Sequence, residues 1–270
     1  MFYLNQLGMI CPLGSTGDEI KRRMLDLSQS GVAMTDTYSP GHPLPLGAVD
    51  TTQQLPSLEE LPLDHRSRNN QLALGALIEI RAAVDAAIER YGGDRIGIVI
   101  GTSTSGIADA ESALRQYVAT GVLPEQFHYG QQELGSPAAM IAAALGISGP
   151  AYVHSSACAS SAKALASATR LLRMGVCDAV LAGGVDSLCA FTVAGFKALE
   201  SISETQCNPL SRNRNGINIG EGAALFLMSA EPATVALRGW GESSDGYHVS
   251  APDAAGVGAR RAIGRAQPRA

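Results

Sequence analysis

The sequence predicts an α/β fold in which helices cover a mixed, mainly parallel sheet. Three observations carry this. Short apolar segments at 3–10, 96–100, 151–153, 177–183, 223–229 and 234–240 have the length and composition of strands. Between most of them lie longer segments whose apolar residues recur at helical spacing. The 270 residues include 30 glycines, with 5% aromatic and 17% charged residues, a mix that suits tight turns and close helix packing and argues against disorder.

Taken in order, Tyr3 to Ile10 alternates like a strand and ends at Cys11-Pro12-Leu13-Gly14. A helix is expected from Asp18 to Leu27, with Ser15, Thr16 or Asp18 able to cap it. Residues 36–62, rich in Pro, Thr and Gln, read as a long loop with short extended pieces. From His65 to Tyr91 the spacing of Leu72, Leu74, Ala76, Leu77, Ile80, Ala83, Val84 and Ile88 predicts a long amphipathic helix, ended by Gly92-Gly93. Residues 106–132 read as a helix followed by an irregular segment. Ser136-Pro137 opens a helix to about Leu145, with proline at its first position. A second small-residue helix runs from Ala162 to Met174 and stops at Gly175, and a helical segment is expected near 192–200. No internal repeat is visible.

The charge balance of −5 argues against nucleic-acid binding. The longest near-apolar stretch, Pro137 to Ile147, is too short to span a bilayer, and the opening Met1-Phe-Tyr-Leu-Asn has no basic region before an apolar core. Neither a membrane partner nor a signal peptide is therefore expected. Five cysteines at 11, 158, 177, 189 and 207 show no close-pair spacing. Neither a disulfide framework nor a zinc site is suggested, and a reducing cytoplasm fits best.

The segment His154-Ser-Ser-Ala-Cys-Ala-Ser-Ser-Ala162 places Cys158 where a strand turns into the start of a helix. Free backbone N–H groups and the positive end of the helix dipole favour an anion there, and a thiolate is both an anion and a nucleophile. Small neighbours, Ala157, Ala159 and Ser160, leave room for a substrate to reach the sulfur. On the local pattern alone a cysteine among alanines is more often a small core residue.

Around this cysteine the chain resembles the β-ketoacyl-[acyl-carrier-protein] synthases, condensing enzymes of the thiolase-like superfamily. The resemblance runs in family order through 95–107 (Arg-Ile-Gly-Ile-Val-Ile-Gly-Thr-Ser-Thr-Ser-Gly-Ile), Asp178 to Asp186, Gly195-Phe-Lys-Ala-Leu199, Asn208 to Ala224 and Gly241 to Pro252. Asn213, Asn215 and Ile217 depart from it, since many relatives carry acids or phenylalanine there.

The resemblance implies a thiolase-like α-β-α-β-α sandwich, usually dimeric, of which this chain holds mainly the first half. It divides the chain into residues 1–232, the nucleophile half, and 233–270, the start of a truncated second half. It implies that the face of the nucleophile helix formed by Ala162, Leu165, Ala166, Thr169 and Leu172 is covered by that absent half, and that the irregular segment within 106–132 faces a dimer partner.

The reaction implied is decarboxylative Claisen condensation of malonyl-carrier protein with an acyl group held on Cys158, in fatty-acid or polyketide-type biosynthesis. Phe196 and Ser160 are the implied substrate-binding residues, with no metal or organic cofactor. The implied partners are an acyl carrier protein, malonyl and acyl thioesters, and a second copy or a related synthase subunit. Docking an acidic carrier needs basic residues, for which Lys21-Arg22-Arg23, Arg66/Arg68 and Arg212/Arg214 are candidates; solvated surface charge is the alternative for each.

Relatives use two catalytic histidines, in His-Gly-Thr-Gly-Thr and Asn-His-x-Phe-Gly motifs, and neither motif occurs here. His42, His65, His128, His154 and His248 are not assigned to catalysis; His154 is expected to pack or hydrogen-bond on its strand. The alternatives are a catalytically incomplete remnant, a partner like the chain-length-factor subunits, or acyl transfer without condensation. The tail Gln267-Pro-Arg-Ala270 breaks a helix that the family continues, which reads as truncation.

Overall fold

The computed structural model describes residues 1–26, 30–49, 55–248 and 251–267. Its elements are β1 (Phe2–Ile10), α1 (Gly17–Met24), β2 (Ala33–Thr35), β3 (Leu44–Leu46), α2 (Arg68–Tyr91), β4 (Ile96–Gly101), α3 (Ile107–Thr120), α4 (Ser136–Leu145), β5 (Ala151–His154), α5 (Ser160–Arg173), β6 (Ala179–Asp186), α6 (Ala190–Ala198), β7 (Gly222–Ser229), β8 (Val235–Leu237) and α7 (Val257–Ala266).

Six strands form one sheet in the order β5-β4-β6-β7-β1-β8, and β2 pairs with β3 in a separate small hairpin. β4 runs parallel to β5 and to β6, in a register from Ile96↔Ala179 to Gly101↔Gly184. The other three pairings, β6–β7, β7–β1 and β1–β8, are antiparallel. This corrects the expectation of a mainly parallel sheet. The chain from β6 to β7 stays at the sheet end where β6 leaves, because α6 and residues 218–220 line one cavity with Asp186. β7 must therefore start there and run back. Strand spacing alone does not reveal direction.

The core explains why the strands read as they do. All six residues of β4 are buried because helices cover both faces of the sheet. On one face Leu72, Ala76, Leu77, Ile80 and Val84 of α2, with Met140 and Ile141 of α4, pack against Ile96, Ile98, Ile100, Leu181 and Leu225. On the other, Ala164, Ala168, Leu171 and Leu172 of α5 pack against Val99, Val180, Ala182 and Met228. Each buried side chain of leucine size contributes about 1.5–3 kcal/mol. Three layers, helix on sheet on helix, are thus present of the five implied.

Element ends follow local chemistry. The long helix begins at Arg68 rather than His65, because Ser67 is extended and its hydroxyl accepts from the Asn70 N–H, while Leu63–His65 form a short 3₁₀ turn. Gly92 at φ 86° closes it. Thr16 caps α1, which ends at Met24; Leu27, the expected end, lies outside the described residues. α5 starts at Ser160, two residues before the expected Ala162, and β6 runs on to Asp186. α7 stops at Gln267, and Pro268 lies outside the described residues.

One packing expectation is overturned. Of the α5 face assigned to an absent half, Ala166, Thr169 and Leu172 are buried within this chain. Leu237 packs on the same cluster as Leu172, and Arg170 and Arg173 stack over Trp240 at 5.6 and 4.9 Å. Lys163 and Arg170 both pair with Glu242, at 2.7 and 2.6 Å. Residues 237–242 therefore run along α5, while Ser161 and Ala162 in its first turn and Arg170 and Arg173 in its last stay exposed.

Candidate active site

The first turn of α5 sits directly on the ends of two parallel strands. Gly101 ends β4 and Gly184 lies near the end of β6, and a side chain at either would overlap Ser161. Gly101 faces the Ser161 backbone nitrogen and Gly184 faces its hydroxyl. These two glycines let the helix approach the sheet and fix where its N-terminus points.

Between β5 and α5 the chain makes a tight turn. Ala157 takes a left-handed conformation, φ 49°, which costs a residue with a Cβ and persists where the surroundings over-determine it. Ser160 supplies that constraint. Its hydroxyl accepts from the Ser156 N–H at 2.9 Å and donates to the Ala157 carbonyl at 2.6 Å. Ser160 is buried, its hydroxyl is committed to the turn, and it does not line the cavity beside Cys158. Its expected substrate contact is therefore replaced by a positioning role. Cys158, one residue past the strained alanine, is a free and exposed thiol.

Cys158 opens onto a cavity of about 500 Å³. One wall is apolar: Phe191, Phe196 and Leu199 from α6 and its exit, with Ile219 from the segment before β7. The expected lining residue Phe196 is in place, while Phe191 had no sequence signal of its own. The other wall is polar, formed by Ser103, Thr104, Asp186 and Ser187. Asp186 organises it through a single oxygen. Its Oδ1 accepts from the Ser103 and Thr104 N–H groups at 2.8 and 3.0 Å and from the Thr102, Ser103 and Thr104 hydroxyls at 3.1, 3.3 and 2.9 Å. The Thr-Ser-Thr run after a strand, facing Gly-Gly-Val-Asp at its neighbour's end, is the signal that could have located this cradle.

The segment leading into α6 is held by carboxylates. Glu221, whose side chain is 1% exposed, pairs with Arg68 at 2.6 Å and accepts from the Val49 and Leu188 N–H groups at 3.0 and 3.1 Å. Arg68 also donates to the Val49 carbonyl at 3.0 Å, and Arg66 donates to the carbonyls of Leu61 and Glu59 at 2.7 and 2.6 Å. Arg66 and Arg68 are thus internal braces, which corrects their candidacy as a docking patch. Arg23 pairs with Glu19 at 3.0 Å. Lys21, Arg22, Arg212 and Arg214 remain exposed.

The other cysteines and the histidines stand apart. Burial pushes the Cys177 and Cys189 thiols up, which keeps them protonated and unreactive. No histidine lines the cavity. His154 packs edge-on against Tyr152 at 5.8 Å, and its Nε2 is buried without a hydrogen-bond partner among the described residues. No group of three or more metal-ligating side chains occurs among the described residues.

Residues 52–233 match the family described as β-ketoacyl synthase, N-terminal domain. The chain belongs to the β-ketoacyl synthase family. Nodulation protein E of Rhizobium meliloti is 31% identical over 167 residues, which are 58% of this chain and 42% of that protein. The 3-oxoacyl-[acyl-carrier-protein] synthase 2 of Staphylococcus aureus is 28% identical over 206 residues, 70% of this chain and 51% of that protein. The chain thus spans about half the length of these relatives. Among solved structures, a chain from the ketosynthase (ApeO) in complex with its chain length factor (ApeC) of Xenorhabdus doucetiae is 41% identical with a TM-score of 0.92, covering 98% of this chain and 67% of that one. The ishigamide ketosynthase/chain length factor gives 25% identity and a TM-score of 0.83, covering 99% and 70%. This chain carries part of the thiolase-like fold of these β-ketoacyl synthases. No helix among the described residues is long and apolar enough to cross a membrane.

Proposed function

We propose that Cys158 is the acyl-carrying nucleophile of a β-ketoacyl-[acyl-carrier-protein] synthase in fatty-acid or polyketide-type biosynthesis. The observation that carries this reading is an exposed free thiol on a strained strand-to-helix turn, opening onto a cavity with an aromatic and aliphatic wall. In the loading step the Cys158 sulfur attacks the carbonyl carbon of an acyl-carrier thioester. The Cys158 proton goes to solvent, the carbon–sulfur bond to the carrier breaks, and the carrier thiolate leaves and takes up a proton. In the condensing step malonyl-carrier protein loses carbon dioxide, and its C2 carbanion attacks the acyl-Cys158 carbonyl. That frees the cysteine and yields the β-ketoacyl carrier. The apolar wall, including Phe196, would hold the acyl tail, and Ser160 would hold the turn that presents the sulfur.

The histidine motifs of the condensing step are not among these residues, so condensation is proposed for the whole protein or its assembly. The partners are an acyl carrier protein, docked through Lys21, Arg22, Arg212 or Arg214, and a second copy or related synthase subunit. The nucleophile half is placed at 1–232, in keeping with a family match that ends at 233. A cytoplasmic location is supported by five free cysteines. A second reading, a chain-length-factor-like partner, is favoured by the absent histidine motifs and opposed by Cys158.

The deciding experiment exposes the protein to an acyl-carrier protein and maps the adduct by peptide mass spectrometry. An acyl group on the Cys158 peptide, absent in Cys158→Ala, supports the nucleophile. Carbon dioxide release from malonyl-carrier protein then separates condensation from acyl transfer alone. No adduct under any acyl donor sinks this reading in favour of the partner role.

A further inference from the structure

We infer that Glu111 sets which acyl groups the Cys158 cavity accepts, as a positioning residue for α6; the inference rests on the reading of Cys158 as acyl carrier. Helix α6 presents Phe191, Thr192, Gly195, Phe196 and Leu199 to the cavity, a stripe at helical spacing. The helix is thinly anchored on its other side. Val193 alone among its nine residues is fully buried, and Phe191 is 70% exposed. Its own N-cap residue, Cys189, gives the helix no side-chain cap, because its sulfur engages the Thr192 hydroxyl at 3.0 Å.

The cap comes from another element. Glu111, on α3, accepts the Ala190 N–H on Oε2 at 2.9 Å and the Phe191 N–H on Oε1 at 2.6 Å. Both carboxylate oxygens are therefore spent on the first turn of α6, where helix N–H groups lack partners and the dipole favours negative charge. Arg115, one turn along α3, stands 3.5 Å from Oε2 and steadies the carboxylate. The backbone of the aromatic wall nearest the helix start is thus fixed by a side chain lying 79 and 80 positions away in sequence. Removing the carboxylate frees the end of α6 that carries Phe191 and Thr192, while Val193 still tethers its middle. The shape of the cavity changes, but the mount of Cys158 on Gly101 and Gly184 does not.

The test uses the purified protein in the assembly it forms, as wild type, Glu111→Ala and Glu111→Gln. Two kinds of reagent react with Cys158 without turnover: iodoacetamide, which needs only the exposed thiol, and N-alkylmaleimides of increasing alkyl length, which need the cavity. The spread of wild-type maleimide rates across alkyl lengths is expected to shrink by about fivefold or more in Glu111→Ala, as two charge-assisted hydrogen bonds are lost. The iodoacetamide rate is expected to stay near wild type. Glu111→Gln keeps one acceptor oxygen and is expected to fall between the two. An unchanged alkyl-length profile in Glu111→Ala, or an equal fall in every rate including iodoacetamide, overturns the inference. If Glu111→Ala does not fold, judged by its thermal melt, Glu111→Gln decides by the same criteria. A wild type that takes no acyl group from acyl-carrier protein defeats the proposed function, while the maleimide profiles still decide the role of Glu111.

Discussion

Helices α5 and α6 flank the same cavity and are held in opposite ways. α5 buries eight of its fourteen residues, seats its first turn on two bare glycines, and is overlaid by residues 237–242. α6 buries one of nine, Val193, and its start is held by carboxylates, Glu111 of α3 on its first turn and Glu221, just before β7, on the segment leading into it. The proposed nucleophile, Cys158, needs close placement, and backbone packing at the start of α5 supplies it. The α6 wall, held at its start by side chains, can be shifted by changing one of them. The difference separates the mount of the Cys158 sulfur from the wall of the cavity it opens onto.

The largest test of this contrast is Glu221→Ala. It strands Arg68 and leaves the Val49 and Leu188 N–H groups without their acceptor, so a loss of about 3–5 kcal/mol is expected in chemical denaturation. A loss under about 1 kcal/mol would mean that the wall does not depend on its carboxylates. Next is Gly101→Ala, whose new Cβ meets the Ser161 backbone. Overpacking of about 1–3 kcal/mol is expected, with a slower reaction of Cys158 with iodoacetamide. Unchanged stability and labelling would show that α5 slides rather than sits.

Ser160→Ala should cost about 1–2 kcal/mol by orphaning the Ser156 N–H, and it should lower the labelling rate of Cys158 as the Ala157 conformation relaxes. The smallest effect concerns the cover of α5. Hydrogen bonds from Lys163 and then Arg170 hold the Glu242 carboxyl down from 4.5 to about 2. A depressed folded pKa gives stability that is present above pH 4.5 and lost as the pH falls toward 2. Because the side chain is 32% exposed, this amounts to no more than about 1 kcal/mol. Urea titrations of wild type and Glu242→Gln at pH 7 and pH 3 should show a gap that narrows at the lower pH; a constant gap would remove the ion pairs from the account.

The elements that were legible in the sequence are those whose signals are local. The apolar period of α2, the proline opening α4, and the glycines closing α2 and α5 all act within a turn or two. Cys158 was legible because a strand, a small-residue turn and a helix are contiguous around it, and the family resemblance pointed to Phe196, which lines the same cavity. The direction of β7, the Asp186 cradle, Phe191 and the Glu111 cap were not. Each depends on residues that meet only after the sheet has formed.

Ser160 and Arg68 show the same limit from the other side. Both residue types suit substrate or carrier contacts, and both are absorbed by internal hydrogen bonds: Ser160 by its own turn, Arg68 by Glu221, 153 positions away. The amino-acid sequence by itself determined the α/β class, the position of the Cys158 turn and the helix that follows it, because periodicity, capping and turn chemistry are short-range. Only the tertiary structure decided the strand directions, the bracing of Arg68, and which carboxylates shape the cavity, because those are set by packing between segments distant in sequence, as far as 172 positions apart.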